Sequence, residues 1–524
     1  MIKAALILDN KSLTKWQRDA LEASRDKLDI CVILSCNNTR SKRNYANNFL
    51  YYILNYFTLV NHQTIKSEFC CGGIEVVEFD SIYDGVWQKI PHSVSEKLGA
   101  LGVKVVIKFG MSLLRIDEHL EPYRILSFHH GDPAHFRGRP AGFYELLFNK
   151  SSIGVIVQEL SNRLDAGRVW AICHSKIHHH SYKKTAEAFY SKSKYVLSKA
   201  LVNLSNNKPI DISPDGKNYR LPSNMLVAKF FLTLLTRKVR RVFYGLFFEK
   251  NWNIATYNDC DVMRDNVLRI DKARPAILSR GYRFYADPFF SSNGKTIRLE
   301  ALNSSNGLGE IIEVDAETLE GETVLLKGRH YSYPYSFLVD GREILVPEVA
   351  SHSSPFFLEN TLDSSVLKPF KGLENVRVVD GTLTFKDGLF YFFCGHNGSA
   401  EDCLYLFYSE GLDEDFVSHP LNPVVIDPAR ARMGGRIIFR DGKYFRVGQN
   451  NSFGYGDGIA FCEITKLSTT EYEEEIFGSL SFEGASGPHT LDVFKNKCVV
   501  DYYVDKFSLL AWYRRLMPIF FRQI

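Results

Sequence analysis

After residue 250 the chain repeats one pattern five times: an apolar run, a tight turn centred on Asn or Asp, and a second apolar run. The five stretches are "FFSSNGKTIRLEA", "FLVDGREILVPEV", "LTFKDGLFYFFCG", "IIFRDGKYFRVGQ" and "LDVFKNKCVVDYY". Their turn residues, Asn293, Asp340, Asp387, Asp441 and Asn496, follow one another at 47, 47, 54 and 55 positions. Asn-Gly and Asp-Gly between β-branched and aromatic residues mark two-residue hairpins, because both central positions must take positive φ. A hairpin every fifty or so residues is the signature of propeller blades, and five repeats predict a five-bladed, all-β propeller over 251–508.

The first 205 residues have a different texture. "AALIL", "ICVILS" and "VKVVIKFG" read as apolar strands, and "SLTKWQRDALEASRDKL" carries helical spacing behind a Ser or Thr start. Strands alternating with helical patterns predict an α/β Rossmann-like domain with a mostly parallel sheet. No GxGxxG follows the first strand, which excludes the usual dinucleotide fingerprint. Ligand chemistry in such sheets gathers at the carboxyl ends of strands, where "KFGMSLL" and "LSFHHGD" fall.

Between the two domains, 206–250 forms a basic amphipathic linker whose core is "MLVAKFFLTLLTRKVRRVFYGLFF" over 225–248; the tail over 509–524, "LLAWYRRLMPIFFRQI", is of the same kind. No apolar run reaches the length of a spanning helix. Two readings stand for both segments: a helix lying on an anionic membrane surface, or one packed between domains. The opening "MIKAALILDN" lacks a secretory h-region, so the expected setting is the cytoplasm, with the basic segments at the inner membrane face under the first reading. A formal charge of +4, from 64 Lys and Arg against 60 Asp and Glu, gives no ground for a nucleic-acid partner. Ten cysteines without a CxxC pair, Cys70 and Cys71 adjacent among them, read as reduced thiols.

The segment "LSFHHGDPAHFRGRPAGF", 126–143, packs histidines, a carboxylate, arginines, glycines and prolines into what must be a loop. It resembles the N-x-H-x-S-L-L-P-x-x-R-G motif of the formyltransferases that act on methionyl-tRNA, glycinamide ribonucleotide and nucleotide sugars, with His129, Arg137 and Gly138 in register. "GVIVQELSNRLDAG" is similar to the second motif of that family, matching Gly154, Val155, Leu164, Asp165 and Gly167. The resemblance implies a formyltransferase domain over 1–205 that uses N10-formyltetrahydrofolate, with His129 as acid/base and Asp165 orienting it. The motif Asn is replaced by Ser127, a substitute oxyanion contact of shorter reach. His130, Asp132, Arg137, Gly138 and Gly110 are the expected substrate-binding residues. The alternative is a degenerate domain retained for binding. A second cluster, His174, His178, His179 and His180, lacks the carboxylates or cysteines that would complete a metal site, and no metal is expected.

In the repeat region, Asp287, Asp380 and His489 precede turns, Glu300, Glu348 and Gln449 follow them, and Arg432 precedes the fourth. Equivalent positions of blades converge on the axis, so these seven residues are expected to share one funnel. The region resembles five-bladed glycoside hydrolase propellers, in which an "ADP" on the first blade carries the base. In "NWNIA", "YADPF" and "HPLNPV" it is similar to the propeller-like region of plant glucosamine inositolphosphorylceramide transferases. Paired carboxylates serve glycosyl transfer; they also grip sugar hydroxyls and cap turns. The leading expectation is formyl transfer to a nucleotide- or lipid-linked amino sugar in surface-glycan assembly, with the propeller holding the sugar. The alternative is a carbohydrate-active propeller beside a non-catalytic first domain.

Overall fold

The computed structural model describes residues 1–38, 45–69, 72–349, 354–359 and 367–515. Cys70, Cys71 and the tail beyond 515 lie outside the described residues. Two compact units divide the chain, Met1–Val239 and Arg240–Ile524.

The first unit is built on the strand Ile2–Asp9, whose "AALIL" core is completely buried. A run apolar on both faces suits the middle of a covered parallel sheet. Leu28–Cys36 and Val105–Lys108 flank it, both parallel. Glu75–Phe79 extends the sheet on one side, and Arg124–His129 on the other, again parallel. Ser152–Glu159 and Arg168–Lys176 complete that second side in antiparallel pairing. Strand order reverses between Ile2–Asp9 and Val105–Lys108, which opens a crevice at their carboxyl ends. The expected first helix is Lys15–Glu22, and the Thr14 N–H at its start donates to Gln17 Oε1 at 2.8 Å.

The stretch 206–250, expected as a linker, belongs to folded structure. Lys217–Tyr219 pairs with Phe136–Gly138, and a helix spans Asn224–Phe247. Among the described residues, no helix is long and apolar enough to cross a membrane.

The second unit is the five-bladed propeller. Three of the predicted turns are two-residue hairpins with positive φ at both positions: Asp340 and Gly341 (49° and 75°), Asp387 and Gly388 (53° and 82°), and Asp441 and Gly442 (52° and 77°). The ring is closed by its own ends, because Phe248–Asn258 pairs antiparallel with Lys497–Phe507 along its whole length. Buried ion pairs tie the sheets together. Arg298 reaches Glu313 at 2.9 Å within its own sheet and Glu343 at 2.7 Å in the next. Arg436 bonds Asp492 at 3.0 Å and the Ser336 carbonyl at 2.6 Å.

Candidate active sites

In the α/β unit the site grows from two neighbouring strand ends. Lys108 lies opposite Ser127 in the ladder, and His129 follows Ser127 by two positions, so the three side chains share one face. His129, 9% exposed, has its Nδ1 3.4 Å from Asp165 Oδ1, and its Nε2 lies 3.3 Å from the Phe136 carbonyl. The other oxygen of Asp165 accepts the Gly138 N–H at 2.8 Å. That contact anchors the carboxylate on the loop between Glu159 and Arg168, where Asp165 adopts φ 45°. Burial lowers the Lys108 ammonium to about 8, against the opposing pull of Asp9 and Asp165. Among the described residues Lys108 forms no direct ion pair, so its charge is uncommitted at the crevice.

Glycine is required at two positions here. A Cβ on Gly131 would stand 2.7 Å from His129 Nε2, and one on Gly138, at φ 85°, would stand 2.1 Å from the Tyr219 carbonyl oxygen. Gly110 follows the strand Val105–Lys108, and its N–H donates to the Ile7 carbonyl of the neighbouring strand at 2.8 Å. Arg137 donates through Nε to the Gly216 carbonyl at 2.7 Å, which holds the motif loop against 213–219.

Other predicted residues do structural work. The His130 ring lies among Trp16, Phe128, Phe189 and Tyr190, bonds Ser193 Oγ at 2.9 Å, and is pushed down to about 3 by burial. Asp132 caps its own turn by accepting the Ala134 N–H at 2.9 Å. The histidines at 178–180 lie beyond the end of the strand Arg168–Lys176, in the connection to the helix Tyr182–Ser205.

Glu145 carries no signal in the motif, yet it shares a recess with His129. The recess is narrow, and Arg137, Arg139, Tyr144 and Tyr219 line it as well. Burial pushes its carboxyl up to about 8.

In the propeller the predicted funnel residues do meet, and β-bulges bring them there. The innermost strands of the first three blades break register at the same place, around Asp287, Tyr333 and Asp380. All three have positive φ, at 50°, 46° and 51°. A bulge re-aims one side chain, here toward the axis. Asp287 accepts from Thr490 Oγ1 at 2.7 Å and from the Tyr333 N–H at 3.2 Å, and lies 3.3 Å from His489 Nε2. The other ring nitrogen of His489 is 2.5 Å from Asp501. Burial pulls the His489 imidazole down, but the carboxylates of Asp501 and Asp287 outweigh it and raise its pKa.

Asp287, His489 and Asp501 are the one group among the described residues with metal-site spacing. The two imidazole nitrogens each face one of the carboxylates, Nε2 toward Asp287 and Nδ1 toward Asp501.

Asp380 is gripped by Arg432 at 2.5 Å and Gln449 at 3.1 Å, and its N–H donates to Glu348 at 3.1 Å. Burial, reinforced by Asp380, pushes the Glu348 carboxyl up to about 8. Glu300 is raised further, by burial first and the surrounding carboxylates second, and one of its oxygens is buried without a hydrogen bond. Trp252 and Tyr455 pack on the His489 ring at 4.3 and 5.1 Å. The sequence reading missed Tyr333, Asp501, Trp252 and Tyr455. "YSYPYSF" repeats the frame of "YADPFF" 46 residues on, and "VVDYY" after the fifth turn carries the acid that other blades carry as Glu or Gln.

Fold and sites together define a protein that joins an α/β crevice holding a His–Asp pair to a propeller with an acidic hub. The family model for "Glucosamine inositolphosphorylceramide transferase 1, N-terminal" matches residues 272–487, within the propeller. Over 213 residues the chain is 29% identical to Glucosamine inositolphosphorylceramide transferase 1 of Oryza sativa subsp. japonica, a match covering 36% of this chain and 27% of that protein. The protein of the same name from Arabidopsis thaliana is 26% identical over 211 residues, with the same coverage. The match thus spans about a quarter of these relatives' length.

Among solved structures, glycinamide ribonucleotide transformylase 1 from Symbiobacterium toebii is similar at TM-score 0.29 and 15% identity, covering 42% of this chain and 94% of that one. A 4-N formyltransferase from Francisella tularensis is similar at TM-score 0.28 and 12% identity, covering 44% and 87%. Bacteroides ovatus Xyloglucan PUL GH43B is similar at TM-score 0.30 and 12% identity, covering 40% and 46%.

Proposed function

We propose that this chain transfers a formyl group from N10-formyltetrahydrofolate to the amino group of a nucleotide- or lipid-linked amino sugar in glycan assembly. The observation that carries the reading is the His129–Asp165 pair, held by the Gly138 N–H at the carboxyl edge of a parallel sheet. The donor set fits a formyl carbonyl and an amine: an uncommitted ammonium, a hydroxyl and an imidazole share one face. The folate supplies the activated formyl group. His129 would take the proton that the sugar amine loses as its nitrogen bonds to the formyl carbon, and would return it to N10 as the carbon–N10 bond breaks and tetrahydrofolate leaves; Asp165 would hold the ring in place. Ser127 and Lys108 stand on the same face to hydrogen-bond the oxygen on which charge develops, the task that the missing Asn would perform. The propeller's carboxylates suit recognition of sugar hydroxyls and amines.

The test is a mass-spectrometric search for formylated product across a panel of nucleotide- and lipid-linked amino sugars, with His129→Ala as control. Formylated product that falls by about 10² or more in the variant supports the reading. No product from any acceptor, together with no calorimetric binding of a stable folate analogue, overturns it.

A second reading, glycosyl chemistry at the propeller hub, is favoured by one observation: Glu300 and Glu348 are raised beside Asp287 and Asp380. A carboxyl kept protonated by burial can serve as the acid of such chemistry. Sugar transfer or cleavage that is lost in Asp287→Asn and retained in His129→Ala supports that reading over the first.

A further inference from the structure

The helix Asn224–Phe247 buries only Val227 and Phe230 among its large apolar residues. Phe230 stacks on Phe143 at 4.2 Å, and Arg237 donates to the Leu146 carbonyl at 2.7 Å, so this side of the helix is docked. Among the described residues nothing covers the opposite side. Met225, Phe231, Leu232, Leu235, Val239, Val242, Phe243 and Leu246 are all exposed, from 41% to 82%. At 3.6 residues per turn these eight fall within about 120° of arc, one unbroken stripe along the whole helix. Lys229 and Arg240 border the stripe on one side and Lys238 on the other, all exposed.

Beyond the propeller, Leu509, Leu510, Trp512 and Tyr513 are exposed as well. This segment is fastened just past the end of the same helix by Arg515, which donates to the Phe248 carbonyl at 2.5 Å, and by Arg514, which pairs with Glu249 at 2.9 Å. Trp and Tyr favour the boundary between headgroups and acyl chains.

We infer that this stripe lies in the surface of a bilayer rich in anionic lipid, with the helix in the plane of the membrane. A continuous apolar face at this spacing inserts to the level of the upper acyl chains, while lysines and arginines along its borders extend toward lipid phosphates. Charge complementarity selects the lipid surface over another apolar protein face, because both borders of the stripe are basic and no acidic residue occurs from Asn224 to Phe248. The inference holds for either chemistry proposed above, and it places the protein where lipid-linked sugars are found.

The test is flotation of the full chain with vesicles of phosphatidylcholine alone and of phosphatidylcholine mixed with phosphatidylglycerol. The protein is expected to float with the mixed vesicles only. Binding is expected to weaken in about 1 M salt, where screening shortens to about 3 Å. The exposed-site variant Leu235→Glu/Val239→Glu should retain its fold by circular dichroism and lose at least about tenfold in partition. Lys229→Gln/Lys238→Gln/Arg240→Gln should lose the preference for anionic lipid. Brominated acyl chains should quench a fluorescence component that is absent in Trp512→Phe. Failure of the folded wild type to float with either vesicle overturns the inference. So does a concentration-dependent dimer abolished by Leu235→Glu, which would show that a second copy covers the stripe.

Discussion

Lys108 stands beside Ser127 at a point where the formyltransferase motif relies on an amide. An ammonium reaches farther than a hydroxyl and carries full charge, so under the proposed reaction Lys108→Met costs about 10² in kcat with little change in KM. The pH profile separates this from a structural role. Lys108 is lowered to about 8 by burial, so activity falls as pH rises through 8 and the ammonium loses its proton. Lys108→Arg keeps the charge, and the alkaline limb moves to higher pH.

Glu145 makes stability, rather than activity, depend on pH. Its folded-state carboxyl is raised to about 8 by burial, against about 4.3 in an open chain, so over this window the folded state holds a proton that the unfolded state releases. Stability therefore declines as pH rises from about 5 to 8, and Glu145→Gln flattens that decline. Melting curves of both proteins across this range check it. Neither residue was legible from sequence. Lys108 reads as one polar residue in an apolar strand, and Glu145 as an ordinary first-turn acid, until the fold places Lys108 on the strand face of His129 and Glu145 in its recess.

At the scale of elements, the propeller's sheets are held by charges buried within them. Arg446 is wholly buried and makes two 2.7 Å bonds to Glu474 on a nearby strand of the same blade. Removing one partner strands the other in a dry site. Glu474→Gln is expected to destabilise the propeller by ~3–5 kcal/mol, measured by denaturant unfolding, while a joint apolar replacement of both costs far less. The hairpins between elements were readable because the turns demand it: positive φ at Asp340, Asp387 and Asp441 leaves few residue types to choose from. The bulges were not readable. They depend on which residue faces the axis rather than on residue type, so Tyr333 occupies the position that Asp287 and Asp380 hold in neighbouring blades. His130 misled for a related reason. It neighbours a motif histidine in sequence, but its surroundings are set by Phe189, Tyr190 and Ser193, some sixty residues away.

The whole molecule contains two compact units, each with its own apolar clusters. Thermal unfolding is expected to give two transitions, with Glu474→Gln lowering one and leaving the other in place; a calorimetric scan of wild type and variant checks this. The change of architecture near residue 250 was legible because the hydrophobic period changes there. The place of 206–250 was not, since Lys217–Tyr219 is recruited by Phe136–Gly138 across a distance that no local pattern records.

The strand that closes the propeller sets an order on how the protein is made. Phe248–Asn258 leaves the ribosome before any other strand of the ring, and its partner Lys497–Phe507 leaves among the last. Throughout synthesis of the intervening blades, that first strand has an open edge of backbone donors and acceptors. The α/β unit has no such debt to the far end of the chain and can be finished early. A nascent chain halted before residue 497 would therefore carry a complete first unit and an unsealed ring, a form that chaperones and proteases can tell from the finished protein.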